Sequence, residues 1–157
     1  MSMTAVAGIE SRVLNEAYGP GAWHGADLKA ALADVTPAVA FWRPDAGRHN
    51  IAEIGLHHAY CTRAVRSQIS GRSPDPFVVQ GDDWFEAADE RTLSWPDIQA
   101  TVQAEHDRLA AVVADVASGK LSSPLADAER FNLVLGITCH AIYHAGQIQL
   151  IKRLHQG

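Results

Sequence analysis

The sequence predicts an all-α fold, a four-helix bundle with a long crossover loop, built from residues 1–157 as a single domain. Three observations lead there. Apolar residues recur at three- and four-residue intervals in the long segments, the spacing of helices that bury one face. Capping residues stand where those segments begin and end. No stretch reads as a strand, and four main helices joined by loops bury their apolar faces most simply against one another.

The first helix is read from Thr4 to Tyr18, with Val6, Ile9, Val13, Leu14 and Ala17 at helical spacing and Gly19-Pro20-Gly21 as its stop. A short helix follows from Ala26 to Ala33, where Leu28 and Leu32 lie one turn apart. Thr36-Pro37 then opens a further turn with proline at the first helical position. Arg43-Pro44-Asp45-Ala46-Gly47 has loop chemistry.

Asn50 and Glu53 pattern as a capping-box variant, opening a helix from Ile51 to about Ile69 that Gly71 ends. Arg72 to Leu93 carries Pro74, Pro76, Gly81 and several aspartates without a period, and is expected to be a long functional or mobile loop. Ser94-Trp95-Pro96-Asp97 starts the next helix, which continues through Val102, Leu109 and Val113 to Ser118-Gly119. After Ser122-Ser123-Pro124, the last helix runs from about Ala128 to Leu154.

Apolar residues make up 47% of the chain and charged residues 20%, an ordinary globular balance. Thirteen basic against 18 acidic residues leave a net charge of −5, which argues against a nucleic-acid or anionic-membrane surface, since both need a basic footprint. No apolar run reaches the roughly 20 residues that span a bilayer. Met1 to Glu10 lacks signal-peptide character, and Cys61 and Cys139 form no C-x-x-C pair, so a cytoplasmic protein with reduced thiols is expected.

The chemistry lies in the eight histidines. His140 and His144 are four apart on the last helix, roughly 6 Å along its axis, so their imidazoles can converge on one ion. No glutamate follows His140, so a zinc-protease mechanism does not carry over. Spacing alone leaves a metal pair and a structural pair level. Open zinc sites take three protein donors and leave one position free. His57 and His58 point about 100° apart, so one of them faces the core; His57, on the face of Glu53, Ile54 and Cys61, is the better third donor. His58 reads as a surface or boundary residue.

The segment Cys139-His-Ala-Ile-Tyr-His-Ala-Gly-Gln-Ile148 resembles the closing His-x-x-x-His-x-Gly-Gln-Ile segment of the DinB/YfiT-like family. The stretch His49 to His57, the stretch Ala17 to Gly25 followed by Arg43-Pro44, and Asp82-Asp83-Trp84 resemble it too. The resemblance covers nearly the whole chain. It implies a four-helix bundle holding a metal on three histidines, here His57, His140 and His144. It also implies homodimers, and activities that include metal-dependent hydrolases and low-molecular-weight-thiol S-transferases. Cys61 stands where relatives often carry a bulky aromatic, which changes the expected pocket wall.

The resulting expectation is a metal-dependent enzyme using zinc or nickel on a small-molecule substrate, with a cellular thiol among the candidates. Its rivals are a non-catalytic metal-binding or stress-linked interaction protein with a structural ion, and a hydrogen-bonded histidine core with no ion. Pocket candidates are Glu53, His24, His49, Cys61, Gln147 and Trp84. Glu53 could orient His57 or merely cap its helix, and His24 and His49 could line the mouth or lie on the surface. Gln147 could hold substrate, and Trp84 could act as a lid. The plain readings elsewhere are a buried inert Cys139, a packed Tyr143 with a wetted hydroxyl, solvated Glu105 and His106, His155 in the tail, and Trp23, Trp42 and Trp95 as core or loop anchors.

Overall fold

The computed structural model describes residues 3–19 and 21–157; Pro20 and the side chain of Val6 lie outside the described residues. It is all-α, with six helices and no strand among the described residues. They are α1 (Met3–Tyr18), α2 (Leu28–Ala33), α3 (Pro37–Ala40), α4 (Ile51–Ser70), α5 (Trp95–Ala117) and α6 (Asp127–Gln156). Among the described residues no helix is long and apolar enough to cross a membrane.

Local chemistry sets the ends. The Asn50 carboxamide accepts from Glu53 N–H at 2.8 Å, and Ser94 Oγ accepts from Asp97 N–H at 3.2 Å, each satisfying an orphan donor of a first turn. Glu129 accepts from Ala126 N–H at 2.9 Å at the start of α6. Gly71 closes α4 in the left-handed region at φ 69°, where a Cβ would be strained.

The long helices pack as a cycle: α1 against α5 and α6, and α4 against α5 and α6. Two apolar clusters fill the interior. One holds Leu14, Ile69, Leu109, Val113, Val134 and Ile137. The larger surrounds Ile51, Leu56, Ile98 and Ile148 and takes in the short helices α2 and α3. Trp95 anchors it, donating its indole N–H to the Val35 carbonyl at 2.7 Å.

The connection between α4 and α5 is long, as its composition predicts, and it is pinned. Asn50 Nδ2 donates to the Ala87 carbonyl at 2.7 Å, and Ala87 N–H donates to Glu53 Oε1 at 3.0 Å. Phe77 and Phe85 pack against each other and on Tyr60. The loop therefore covers the outward side of α4, and every residue from Asn50 to Ala59 is buried.

This arrangement corrects two expectations for Glu53. Its carboxylate does not complete a capping box, nor does it touch His57. It accepts from Arg43, from His49 Nδ1 at 3.0 Å and from Ala87 N–H, tying two loops to the first turn of α4. Burial pushes the Glu53 carboxyl up, but these hydrogen bonds outweigh it and hold the group below the usual range.

Candidate metal centre

His57 comes from the middle of α4, and His140 and His144 from successive turns of α6. The two helices run antiparallel and face each other here. His57 Nε2 lies 3.1 Å from His140 Nε2, which lies 3.1 Å from His144 Nε2. The three donor atoms all fall within 4.8 Å of one another. Three nitrogens at about 2.0–2.1 Å from one tetrahedral zinc would be about 3.3 Å apart.

Which nitrogens carry protons follows from the partners. His57 Nδ1 donates to the Asp83 carbonyl at 2.8 Å, since a carbonyl only accepts. His144 Nδ1 donates to Gln147 Oε1 at 2.7 Å, and the Gln147 amide in turn donates to the Tyr143 hydroxyl at 3.2 Å. For His140 the chain is longer. The Thr62 hydroxyl spends its proton on the His58 carbonyl at 2.8 Å, so it can only accept from His58 Nε2 at 3.2 Å. His58 is thereby protonated on Nε2, and its Nδ1 accepts from His140 Nδ1 at 2.9 Å.

All three Nε2 atoms consequently present lone pairs to one another, with no proton available to lie between them. Acceptors on the far nitrogens that fix a tautomer in this way are the usual outer partners of metal-binding histidines. Burial favours the neutral form of His140, His144 and His58. It lowers His140 to about 4, with the nearby His144 and His57 adding to the effect. Burial also lowers His144, and holds His58 well below the ordinary imidazole value.

A family model for the DinB superfamily matches residues 22–148. The chain belongs to the DinB superfamily. No curated protein and no solved structure matches it. The matched span of this DinB-superfamily chain includes His57, His140 and His144 together with the loop that covers them. A three-imidazole set of this kind is compatible with a divalent metal ion.

Trp84 caps the cluster from the loop. Its indole stacks on His57 with centroids 3.9 Å apart and on His49 at 3.8 Å, so the three rings form one pile. Cys61, one turn after His57, has its Sγ 3.9 Å from His57 Nε2 and 3.7 Å from Asp83 Oδ1. Burial, together with the Asp83 charge, pushes its thiol up to about 12. Gln147 and Tyr143 flank His144, as described. Asp83 is the partner that spacing did not single out. It holds a left-handed backbone at φ 66° that turns its carbonyl onto His57, with its carboxylate 3.1 Å from the same nitrogen.

Other expectations are corrected. His58 is buried and supports His140, because α4 is covered on both sides here and adjacent residues can both be interior. His24 is exposed and donates to the Glu16 carbonyl at 2.9 Å, away from the cluster. His106 and Glu105 are buried, not solvated: His106 stacks on Tyr18, and Glu105 pairs with Arg66 and Arg108. Cys139 is exposed on the outer face of α6. Trp23 anchors nothing and is 92% exposed, and Tyr143 is 64% exposed.

Proposed function

We propose that this protein is a metal-dependent enzyme holding one divalent ion, zinc or nickel, on His57, His140 and His144. On this proposal it acts on a small molecule, as a hydrolase or as a low-molecular-weight-thiol S-transferase. One observation carries it: three Nε2 lone pairs, each fixed by a proton-accepting partner on the far side of its ring, are held within bonding distance of a single cation. An apolar contact would leave such a cluster unsatisfied.

The bound ion supplies Lewis acidity, which makes a water or a thiol acidic near neutral pH. The chain's own groups do the positioning. Asp83, His58 and Gln147 set the three rings, and Trp84 shields the His57 side from solvent. A cavity of about 480 Å³ opens beside His144 and leaves room for a substrate. The same proposal takes residues 1–157 as one domain that works in the cytoplasm as a homodimer, on the strength of the family resemblance.

A second reading, a non-catalytic structural ion, draws on Cys61 beside His57: its sulfur could complete a closed shell. The open cavity beside His144 favours the enzyme. The deciding experiment assays zinc- or nickel-loaded protein with cellular thiols plus an electrophile, and separately with ester and amide substrates. Turnover in one assay, abolished by chelator and in His144→Ala, is expected. Turnover indifferent to both treatments would overturn the proposal. A loaded protein inactive throughout, but made active by Cys61→Ser, would establish the closed shell instead.

A further inference from the structure

The cavity beside His144 has a composition of its own. Its apolar side is built from Ile54 of α4 and from Leu150, Ile151 and Leu154 of α6. Tyr143, Gln147, Leu150 and Leu154 follow the spacing i, i+4, i+7, i+11 and form one stripe along α6. Leu150 is 58% exposed and Leu154 52%, apolar side chains left open to solvent beside the cavity. Such patches beside a polar site are characteristic of ligand surfaces.

At the other rim stands Arg48. Its backbone is held by a hydrogen bond from its N–H to the Asp45 carbonyl at 3.0 Å and by Arg43 Nη1 donating to its carbonyl at 2.7 Å. Its guanidinium has no carboxylate partner among the described residues, whereas Arg43 is bound to Glu53. Among the described residues no acidic side chain lines this cavity, although the chain carries 18 acidic residues against 13 basic ones. A neighbouring cavity of about 580 Å³ shares Arg48, His49 and Trp84 with this one; it is also lined by Glu53 and Glu86, and its Arg43 is already neutralised.

We propose that the cavity beside His144 takes a small molecule with a carboxylate on an apolar body, the carboxylate held by Arg48 and the body lying on the stripe of Leu150 and Leu154. A single guanidinium fork matches a planar carboxylate in two parallel hydrogen bonds. The stripe supplies area for the body, and Gln147 offers a neutral polar edge beside it. The proposal rests on the reading of the histidine cluster as an enzyme site, because it names the class of molecule that the site would receive.

Calorimetric titration of the full chain with 4-phenylbutyrate and with its uncharged amide tests this, on zinc-loaded and on chelator-stripped protein. The carboxylate is expected to bind about tenfold more tightly than the amide, a preference of the size that one partly screened guanidinium gives. Arg48→Met should abolish the preference and leave amide binding unchanged, and Leu150→Asn should weaken both probes. Arg48 is exposed and pairs with no acid among the described residues, so Arg48→Met is expected to fold, and its thermal unfolding should match the parent. A preference that survives Arg48→Met would overturn the proposal, as would one that disappears with the zinc alone, which puts the carboxylate on the ion. Absence of binding by both probes, with the Leu150 stripe buried by a second copy in sedimentation, would overturn it too. Failure to bind zinc would count against the enzyme reading only, since the comparison on stripped protein still decides this one.

Discussion

Two buried polar centres lie along α6, about three turns apart in sequence, and they are built on opposite principles. Near its start, Arg130 donates Nε to both oxygens of Glu10 at 3.1 and 3.0 Å and Nη2 to Asp127 at 3.1 Å. Donors meet acceptors and charge meets charge, so the pair that joins α1 to α6 is complete within the protein. Further along, His140 and His144 meet His57 with acceptors facing acceptors. Every proton has been drawn to the outside of the cluster, toward Asp83, His58 and Gln147. The first centre needs nothing more, while the second leaves three lone pairs that could converge on one cation. Burial alone does not separate a structural polar core from a site; the direction of the hydrogen bonds does.

The sharpest way to break this contrast is at the ion pair. Arg130→Met strands the Glu10 carboxylate, which is fully buried, and should cost about 3–5 kcal/mol in urea unfolding, with or without chelator. Replacing both partners, as Glu10→Leu with Arg130→Leu, should recover most of that loss while metal content stays unchanged. A metal-dependent loss at Arg130 would erase the distinction between the two centres.

The histidine centre should instead respond to pH. His58, His140 and His144 have folded-state values below the ordinary 6.5, so their contribution is fully present above pH 6.5 and is lost as the pH falls, through about 4 for His140. For His140 alone this amounts to at most about 3 kcal/mol, less what solvent screens. Urea midpoints of stripped protein between pH 7 and 4 would show it, and the double leucine variant should keep the same slope. A flat profile would mean that the rings are not held neutral by burial.

A smaller effect should come from the outer partners. Gln147→Leu, or His58→Leu, should weaken zinc binding about 10- to 100-fold in chelator competition, by releasing the tautomer of His144 or His140. Unchanged affinity in both would separate the hydrogen-bond chain from the site.

The helices were legible because caps and apolar spacing agree: Asn50, Gly71 and Ser94 end or begin helices where their chemistry says they should. The grouping of His57 with His140 and His144 was legible in part, since four-residue spacing pairs the last two and the resemblance supplies the first. His58 was misread because helix geometry was applied as if α4 had one buried side. The loop pinned through Ala87 gives it two, and no local pattern signals that. Asp83 escaped notice as a partner because it acts through its backbone carbonyl, which any residue type carries. Glu53 sat at a helix start where capping is the simplest role, and only the fold brings Arg43 and Ala87 to it. Cys139 and Trp23 were placed by hydrophobicity, which does not say which side of a helix or loop is wet.

The most direct measurement is the zinc stoichiometry of purified protein by elemental analysis, made on the parent chain and on the variant His57→Ala, His140→Ala, His144→Ala, each checked for helix content by circular dichroism. One ion per parent chain and none in the folded variant is the expected result. Equal metal in both, or none in the parent after zinc loading, would contradict the three-histidine centre.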